Sequence, residues 1–407
     1  MANSYAIRSV STPENFTKLT VSCWFKGQQD GTQRGIWGIY DSASTTKFFG
    51  IYYSSNGSLY AYWRQGGSGI IFTLGTMQKF NDPSAWYHLV LTMDTTLATA
   101  ADRVKMYING ERVTAFEDSL DTITQDFDCA NLGDTNGRIQ WGGNVISGTQ
   151  YYWNGLLSHC HMCVGYAYQA SSFGETDATT GEWKINTSPS VSYGTNGGFW
   201  FKDGNQLTDS STNSNTLTVG GGTLTKTEDN PSNVFATFNP LLDVNAKPTL
   251  SNGNTTMAGA AISSAQFVGS TICVSSGKWY YEIKVTPNSS SPYVGVIDAQ
   301  SNLRRDAIYF VDAASGDNDS GYAVNMSGDI YHNNSNSYAT NIGSISSGDI
   351  LGFAIDLDSA QRTCEIYKNG VSQRSFNLAE PSSGAYMLAC CSSYNTASAS
   401  VNFGNGY

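Results

Sequence analysis

Residues 18–27 read KLTVSCWFKG, and their alternation decides the fold class. Apolar side chains occupy every second position: Leu19, Val21, Cys23 and Phe25. Most of the positions between them are polar. Because successive side chains of a β-strand point to opposite faces, this pattern predicts a strand with one face in a core.

The same construction continues along the chain. Residues 87–93 predict a second strand, with Leu89, Leu91 and Met93 on one side. The next strand, over 104–108, reaches Asn109-Gly110, a pair typical of two-residue β-hairpin turns. Since no stretch combines helical periodicity with capping residues, the sequence predicts an all-β protein.

The second half repeats the pattern. One apolar face is formed by Leu351, Phe353, Ile355 and Leu357. A length of 407 residues is more than one core usually serves, so we expect two tandem antiparallel β-sandwiches. A stretch rich in Gly, Ser, Thr and Asn suggests the boundary. The predicted divisions are a sandwich over 1–205, a connector over 206–235 and a second sandwich over 236–407.

Composition limits the partners and the compartment. The net charge of −11 argues against binding to nucleic acid or to anionic membranes, which requires clustered cations. The first residues have no apolar signal-peptide core, and no stretch approaches the roughly 20 apolar residues of a membrane span. The 8 Cys are scattered, which favours synthesis in a reducing cytoplasm. We therefore expect no nucleic acid and no membrane insertion.

The N-terminal strands resemble a known family. TVSCWFKG (20–27), WYHLVLTMD (86–94) and VKMYINGERV (104–113) are similar to strands of the laminin-G, concanavalin A-like lectin fold. The resemblance implies a jelly-roll sandwich for the first domain.

The C-terminal stretches resemble a SPRY domain, because they occur in that family's order. They are GKWYYEIKV (277–285), YVGVIDA (293–299), SGYAVNMSGDIYHNN (320–334), GDILGFAIDLDSAQRTCEIYKNGV (348–371) and VNFGNGY (401–407). This implies a SPRY-like sandwich whose binding surface is made of loops.

Three further stretches resemble segments of tailed-bacteriophage structural proteins: 151–184, 192–203 and 229–241. This implies a homo-oligomeric protein on the virion surface, made and assembled in the bacterial host cytoplasm, with other virion proteins as partners. The chain has no heptad coiled coil and no collagen-like repeat, so the shaft of a tail fibre is missing. A tail fibre, a tail accessory protein and a head-exposed protein therefore stay open.

Two sets of residues could bind a metal. His159, Cys160, His161 and Cys163 lie close in sequence, but strand steps of about 7 Å are wide for one zinc ion. The alternative is an ordinary strand that packs Cys160, Met162 and Val164 inward. Calcium could use Asp94, Asp356 and Asp358 at strand ends, although none has the spacing of a dedicated calcium loop and solvated turn carboxylates explain them better. We predict no cofactor, with Ca²⁺ as the alternative.

Catalysis lacks a recognisable constellation. Glycoside hydrolysis needs two carboxylates across a cleft, and the pairs Glu117-Asp118 and Glu228-Asp229 lie in turn-like or linker sequence. No G-x-S-x-G nucleophile motif is present. The sequence predicts that the protein is not an enzyme.

Sugar binding is the chemistry that the aromatic residues favour, since Trp and Tyr rings stack on the C–H face of a pyranose. The candidates near polar turns are Trp37, Trp63, Trp141 and Trp153. In the SPRY-like half, the candidates are Tyr331, His332 and Asn333. Burial in a sandwich core is the alternative for each tryptophan.

The combined hypothesis is a non-enzymatic phage virion surface protein that recognises host-surface glycans. One alternative is a capsid or tail decoration protein that makes only protein contacts. Another is a polysaccharide depolymerase.

Overall fold

The protein is built almost entirely of antiparallel β-strands, which confirms the expected fold class. In the computed structural model it divides into two compact units, Met1–Val234 and Phe235–Tyr407. No helix in the described part of the chain is long and apolar enough to span a membrane. The structure describes residues 3–10, 12–27, 31–66, 69–121, 123–128, 135–202, 206–225, 227–242, 246–262, 266–289, 291–299, 321–332, 335–381, 383–393 and 395–404.

The first unit is a sandwich of an eight-stranded and a six-stranded sheet, with two small hairpins. Its strands are β1 (Tyr5–Ser9), β2 (Lys18–Gly27), β3 (Arg34–Asp41), β4 (Lys47–Tyr53), β5 (Leu59–Gln65), β6 (Ile70–Thr76), β7 (Tyr87–Asp94), β8 (Val104–Ile108), β9 (Glu111–Arg112), β10 (Phe116–Asp121), β11 (Gly137–Trp141), β12 (Gly143–Ile146), β13 (Thr149–Tyr152), β14 (Gly155–Val164), β15 (Gly174–Thr176), β16 (Trp183–Ile185), β17 (Gly198–Trp200) and β18 (Thr218–Gly221).

Strand order explains how the first unit closes its core. The large sheet runs β10-β6-β5-β4-β3-β11-β1-β18, and the smaller runs β17-β14-β2-β7-β8-β9. The predicted apolar face of β2 lies in the shared core. Asn109 and Gly110 both have positive φ, of 47° and 84°, and connect β8 to β9 as the hairpin signal indicated.

The connector predicted over 206–235 is wrong, because most of this segment packs on the first unit. Strand β18 pairs with β1 at the edge of the large sheet, and Leu217 is buried in the core. Lys26 and Asp229 form an ion pair with an N···O distance of 2.8 Å, and their side chains are only 3% and 1% exposed. Trp86 also donates its indole N–H to Asp229. The Gly- and Ser-rich composition therefore marks an extended edge of the sandwich.

The second unit is a sandwich of two sheets, ordered β19-β20-β32-β23-β28-β29-β30 and β21-β31-β24-β25-β26-β27, with β22 also beside β31. The predicted apolar face from Leu351 to Leu357 lies in its core. Its strands are β19 (Thr249–Ser251), β20 (Thr256–Ala258), β21 (Gln266–Val268), β22 (Cys273–Val274), β23 (Lys278–Thr286), β24 (Tyr293–Asp298), β25 (Tyr322–Val324), β26 (Ile330–His332), β27 (Ser335–Ala339), β28 (Ile350–Asp356), β29 (Thr363–Lys368), β30 (Val371–Asn377), β31 (Tyr386–Ser393) and β32 (Ser398–Asn402).

The buried ion pair gives a stability prediction. Asp229→Ala should lower the free energy of unfolding by about 3–5 kcal/mol, because it leaves the Lys26 ammonium buried without its counter-charge. Urea denaturation measures this change. Asp102→Ala, which removes a surface partner of Lys105, is the matched control and should cost about 1 kcal/mol or less. Equal effects of the two substitutions would contradict this account of the ion pair.

Candidate functional site

The tryptophans predicted to stand at a binding rim are buried in the core of the first unit, so that prediction is wrong. Trp37, Trp63 and Trp141 are 0% exposed, and Trp153 is 9% exposed. All four belong to its main hydrophobic cluster. For Trp37, Trp63 and Trp141 the physical reason is strand parity, because these strand positions point between the two sheets. Trp153 lies between β13 and β14 and packs edge-on against Phe25 and Tyr53.

The opposite face of the large sheet carries tyrosines instead. On β5, Leu59, Ala61 and Trp63 are fully buried, whereas Tyr60 and Tyr62 between them are half-buried and face outward. We define the tyrosine face by the outward residues of β4 and β5: Tyr52, Tyr60, Tyr62 and Arg64.

The strand register brings these side chains together. Tyr52 is the direct cross-strand partner of Tyr60, and their rings stack with centroids 5.1 Å apart. Tyr52 also meets Tyr62 edge-on at 6.5 Å. Tyr62 in turn stacks on Phe48 at 5.5 Å. The result is a continuous aromatic floor on two adjacent strands.

One end of the tyrosine face is polar and charged. The Tyr60 hydroxyl donates to Glu117, which also accepts hydrogen bonds from Ser58, Asn56 and Lys79. These donors, led by Lys79, lower the pKa of Glu117 to about 2. Glu117 lies in β10, not in a turn as the sequence suggested. Its carboxylate is therefore ionised and held in place.

A hairpin borders the tyrosine face on the side of β3 and β4. Strands β12 and β13 lie over β3 and β4, where glycines leave room for them. A Cβ atom on Gly50 would lie 2.2 Å from Asn144 Nδ2, and one on Gly38 would lie 2.5 Å from Asn144 Oδ1. The Asn144 side chain thus rests directly on two backbones. The hairpin covers β3 and part of β4, and its turn reaches Arg64 of β5 through Ser147. Tyr60 and Tyr62 stay half-buried beside it.

Buried polar atoms line this boundary. Asn144 and Gln140 are 1% and 0% exposed, and no described group hydrogen-bonds either side-chain amide. The Thr73 hydroxyl, on the cross-strand neighbour of Tyr62, is also buried and unpaired within the described residues. Unpaired buried polar groups are costly, so each calls for a partner such as an ordered water, an ion or a ligand.

The phenols stay protonated at physiological pH. Burial is the main cause that raises the pKa of Tyr52 and Tyr62, and burial together with Glu117 raises that of Tyr60 to about 12. The three hydroxyl groups can therefore both donate and accept hydrogen bonds.

The comparisons with known proteins agree with this architecture. Residues 2–162 match the family described as the concanavalin A-like lectin/glucanases superfamily, and residues 278–406 match the SPRY domain family. The chain joins an N-terminal concanavalin A-like domain to a C-terminal SPRY domain. No curated protein matches it in sequence.

Several solved structures are similar to parts of this chain. The SPRY domain of human HERC1 is 17% identical, with 39% of this chain and 92% of that chain covered and a TM-score of 0.30. A heptameric SAP-like pentraxin from Limulus polyphemus is 14% identical, with 55% and 91% covered and a TM-score of 0.33. The CBM40 of a Ruminococcus gnavus IT-sialidase, bound to α2,3-sialyllactose, is 15% identical, with 37% and 85% covered and a TM-score of 0.27.

The residues predicted to line a loop rim in the SPRY domain lie partly in a strand. Tyr331 and His332 end β26 and are half-buried, and Asn333 lies outside the described residues. The His332 ring stacks on Tyr322 at 4.1 Å, while Tyr331 packs edge-on against Tyr293. Tyr331 and His332 thus contact separate aromatic neighbours and make no common rim.

Exposed aromatics of the SPRY domain lie elsewhere. Trp279 and Tyr280 on β23 are 43% and 52% exposed. Tyr280 meets Tyr367 edge-on at 6.4 Å, and its hydroxyl donates to Glu282. Because consecutive strand residues point to opposite faces, Trp279 does not share this surface with Tyr280. The pair of Tyr280 and Tyr367 was not anticipated from the sequence.

The histidines of the concanavalin A-like domain lie in its packed interior. His161 stacks on Phe199 at 4.0 Å and hydrogen-bonds Tyr193, while Cys160 points into the main core. A third histidine, His88, is buried between Trp24 and Trp183. Among the described residues, no three His, Cys, Asp or Glu side chains come together in a way that could hold a metal.

The acidic residues considered for calcium have protein partners. Asp94 pairs with Lys18, and Asp356 pairs with Lys278. Asp358 accepts the backbone N–H of Gly277.

The hydrogen bonds of His88 determine its tautomer, and its burial determines its pKa. Trp183 can only donate its indole N–H, so His88 Nδ1 accepts and Nε2–H donates to Ser22. Burial, aided by the charge of His159, lowers the pKa of His88 to about 3. Between pH 6.5 and 3 the unfolded chain therefore binds a proton that the folded domain excludes.

This gives a pH prediction. The neutral, buried state of His88 should contribute fully to the free energy of unfolding of the concanavalin A-like domain above pH 6.5. Below that pH, the free energy of unfolding should fall by roughly 1.4 kcal/mol per pH unit for each such histidine. Thermal unfolding followed between pH 7.5 and 5 checks the trend. His88→Gln should show a shallower slope. A melting temperature that stays constant or rises on acidification would refute the assignment.

Proposed function

We propose that this protein is a non-enzymatic surface protein of a tailed-phage virion that recognises host-surface glycans through the tyrosine face. The observation that carries the proposal is the aromatic floor of Tyr52, Tyr60 and Tyr62 on the outer face of a lectin-like sandwich. Flat aromatic rings bind the C–H faces of sugars, and nearby polar groups hold the hydroxyls.

The surroundings of the floor supply the polar part of such a site. Glu117 Oε1 already accepts hydrogen bonds from Asn56, Ser58 and Tyr60, so its acceptor capacity for a ligand is on Oε2, which Lys79 also contacts. Asp118, in the same cross-strand row as Tyr60, adds a second carboxylate. The phenol groups add hydrogen-bonding capacity at neutral pH. An aromatic floor with acceptors at one end suits a ligand that carries many hydroxyl groups.

Binding without catalysis is supported by the state of Glu117. Glycoside hydrolysis needs a carboxylic acid that can give a proton to the leaving oxygen. Glu117 has its pKa lowered to about 2, so it carries no proton at neutral pH. Glu117 is therefore unsuited to the acid role of this reaction, and we propose a lectin role over a depolymerase role.

A virion location is supported by the resemblance of 151–184, 192–203 and 229–241 to tailed-phage structural proteins. We propose synthesis and assembly in the bacterial cytoplasm, a homo-oligomeric state and contacts with other virion proteins. No cofactor is part of the proposal.

Exposed apolar side chains on the SPRY surface favour a second candidate, a capsid or tail decoration protein. Trp279, Tyr280 and Val371 are 43%, 52% and 63% exposed, and such apolar side chains are common at protein contacts. Cryo-electron microscopy of the particle would test this. Burial of both the SPRY surface and the tyrosine face would favour decoration.

Substitution of the tyrosines tests glycan recognition directly. Tyr62→Ala and Tyr52→Ala should each weaken binding to host-surface polysaccharide about tenfold, because each removes a stacking surface worth about 1.4 kcal/mol. A glycan array followed by calorimetry measures the affinity, with thermal unfolding as the check on folding.

Tyr280→Ala in the SPRY domain is the matched control, since it removes an exposed tyrosine of the other domain. Its affinity should equal that of the unmodified protein. If the folded protein bound neither host polysaccharide nor any glycan on the array, this result would contradict the proposal.

A further inference from the structure

We infer that the tyrosine face selects acidic glycans, with the Arg64 guanidinium binding the carboxylate of a sugar acid. This inference rests on the proposed function and adds the class of ligand to it.

Arg64 occupies the end of the tyrosine face opposite Glu117. It follows Tyr60 and Tyr62 at two-residue steps on β5, so the three side chains point to the same side. At about 3.4 Å per residue, Arg64 lies roughly 7 Å along the strand from Tyr62 and 14 Å from Tyr60. A sugar on the tyrosine rings thus has a guanidinium within reach.

The guanidinium is poorly satisfied by the protein. Its Nη1 donates to Ser147 Oγ at 3.4 Å, near the limit of a hydrogen bond, and its buried Nε has no partner among the described residues. No described carboxylate lies within ion-pair distance of Arg64. A guanidinium has five donors in a fixed fork, and since the Nε–H is buried, the donors left for another group are the remaining Nη hydrogens.

Neighbouring cations differ from Arg64 in this respect. Lys79 pairs with Glu117 at 2.5 Å, and Lys47 pairs with Asp41 at 3.5 Å. Arg64 also lies close enough to Tyr62 for its charge to oppose the burial that raises the pKa of this phenol. The uncompensated positive charge of this surface is therefore concentrated beside the aromatic floor.

The form of the charge favours a carboxylate. A planar guanidinium fork matches the two oxygens of a carboxylate. One such group, on a chain of net charge −11, suits a singly charged sugar acid better than a densely sulfated or phosphorylated polymer. The acidic end at Glu117 and Asp118 repels the carboxylate, so the ligand should lie with its acid group towards Arg64.

The test uses the full chain and an array of oligosaccharides in matched sets: a neutral oligosaccharide that ends in one uronic acid, its methyl ester and a counterpart with one sulfate in place of the carboxylate. The carboxylated members should bind at least tenfold more tightly than their esters. Arg64→Gln should abolish this preference while keeping the weaker binding of the esters. Arg64→Lys, which keeps the charge without the fork, should fall between them.

Arg374→Gln is the matched control, because it removes the same charge from an exposed position in the SPRY domain. It should leave the preference for carboxylated sugars unchanged, whereas Tyr62→Ala should weaken the binding of carboxylated and esterified sugars alike.

Binding of neutral or sulfated sugars without a preference for carboxylates, or an unchanged preference in Arg64→Gln, overturns this inference and leaves glycan recognition intact. Binding to no sugar at all overturns the proposed function and the inference with it.

Discussion

The two-residue alternation of a β-strand is the constraint on which the candidate site depends. On β5, one set of positions places Leu59, Ala61 and Trp63 between the sheets, and the other set places tyrosines and Arg64 on the outer face. The core and the proposed ligand surface are therefore two sides of one strand. A shift of register by one residue would exchange them, which is why burial of Trp63 secures the exposure of Tyr62.

Glycines decide how much of that outer face stays open. Gly38 and Gly50 form a cross-strand pair, and the absence of side chains there lets Asn144 approach both backbones. Tyr62 is the next residue in the same cross-strand row. The covered and open parts of the sheet thus meet between Gly50 and Tyr62. This boundary places buried, unpaired amides next to the aromatic floor.

Local patterns in the sequence predict the strands well, and they leave the assembled surface undetermined. The apolar face of β2 and the hairpin turn at Asn109-Gly110 follow from period and turn chemistry alone. The alternation of side chains along β5 also distinguishes the inward Trp63 from the outward Tyr62. The prediction of tryptophans at the site rested instead on their proximity to polar turns. The pairing of Lys26 with Asp229 joins residues 203 positions apart, so no local pattern could reveal it. For the same reason, residues 206–235 resembled a linker while most of them complete a sandwich.

A crystal structure of the full chain with its tightest-binding oligosaccharide tests the central claim most directly. The account predicts sugar rings against Tyr52 and Tyr62, with an acid group at Arg64 and hydroxyl groups towards Glu117. An ordered sugar on any other surface of either domain, with the tyrosine face unoccupied, would contradict it.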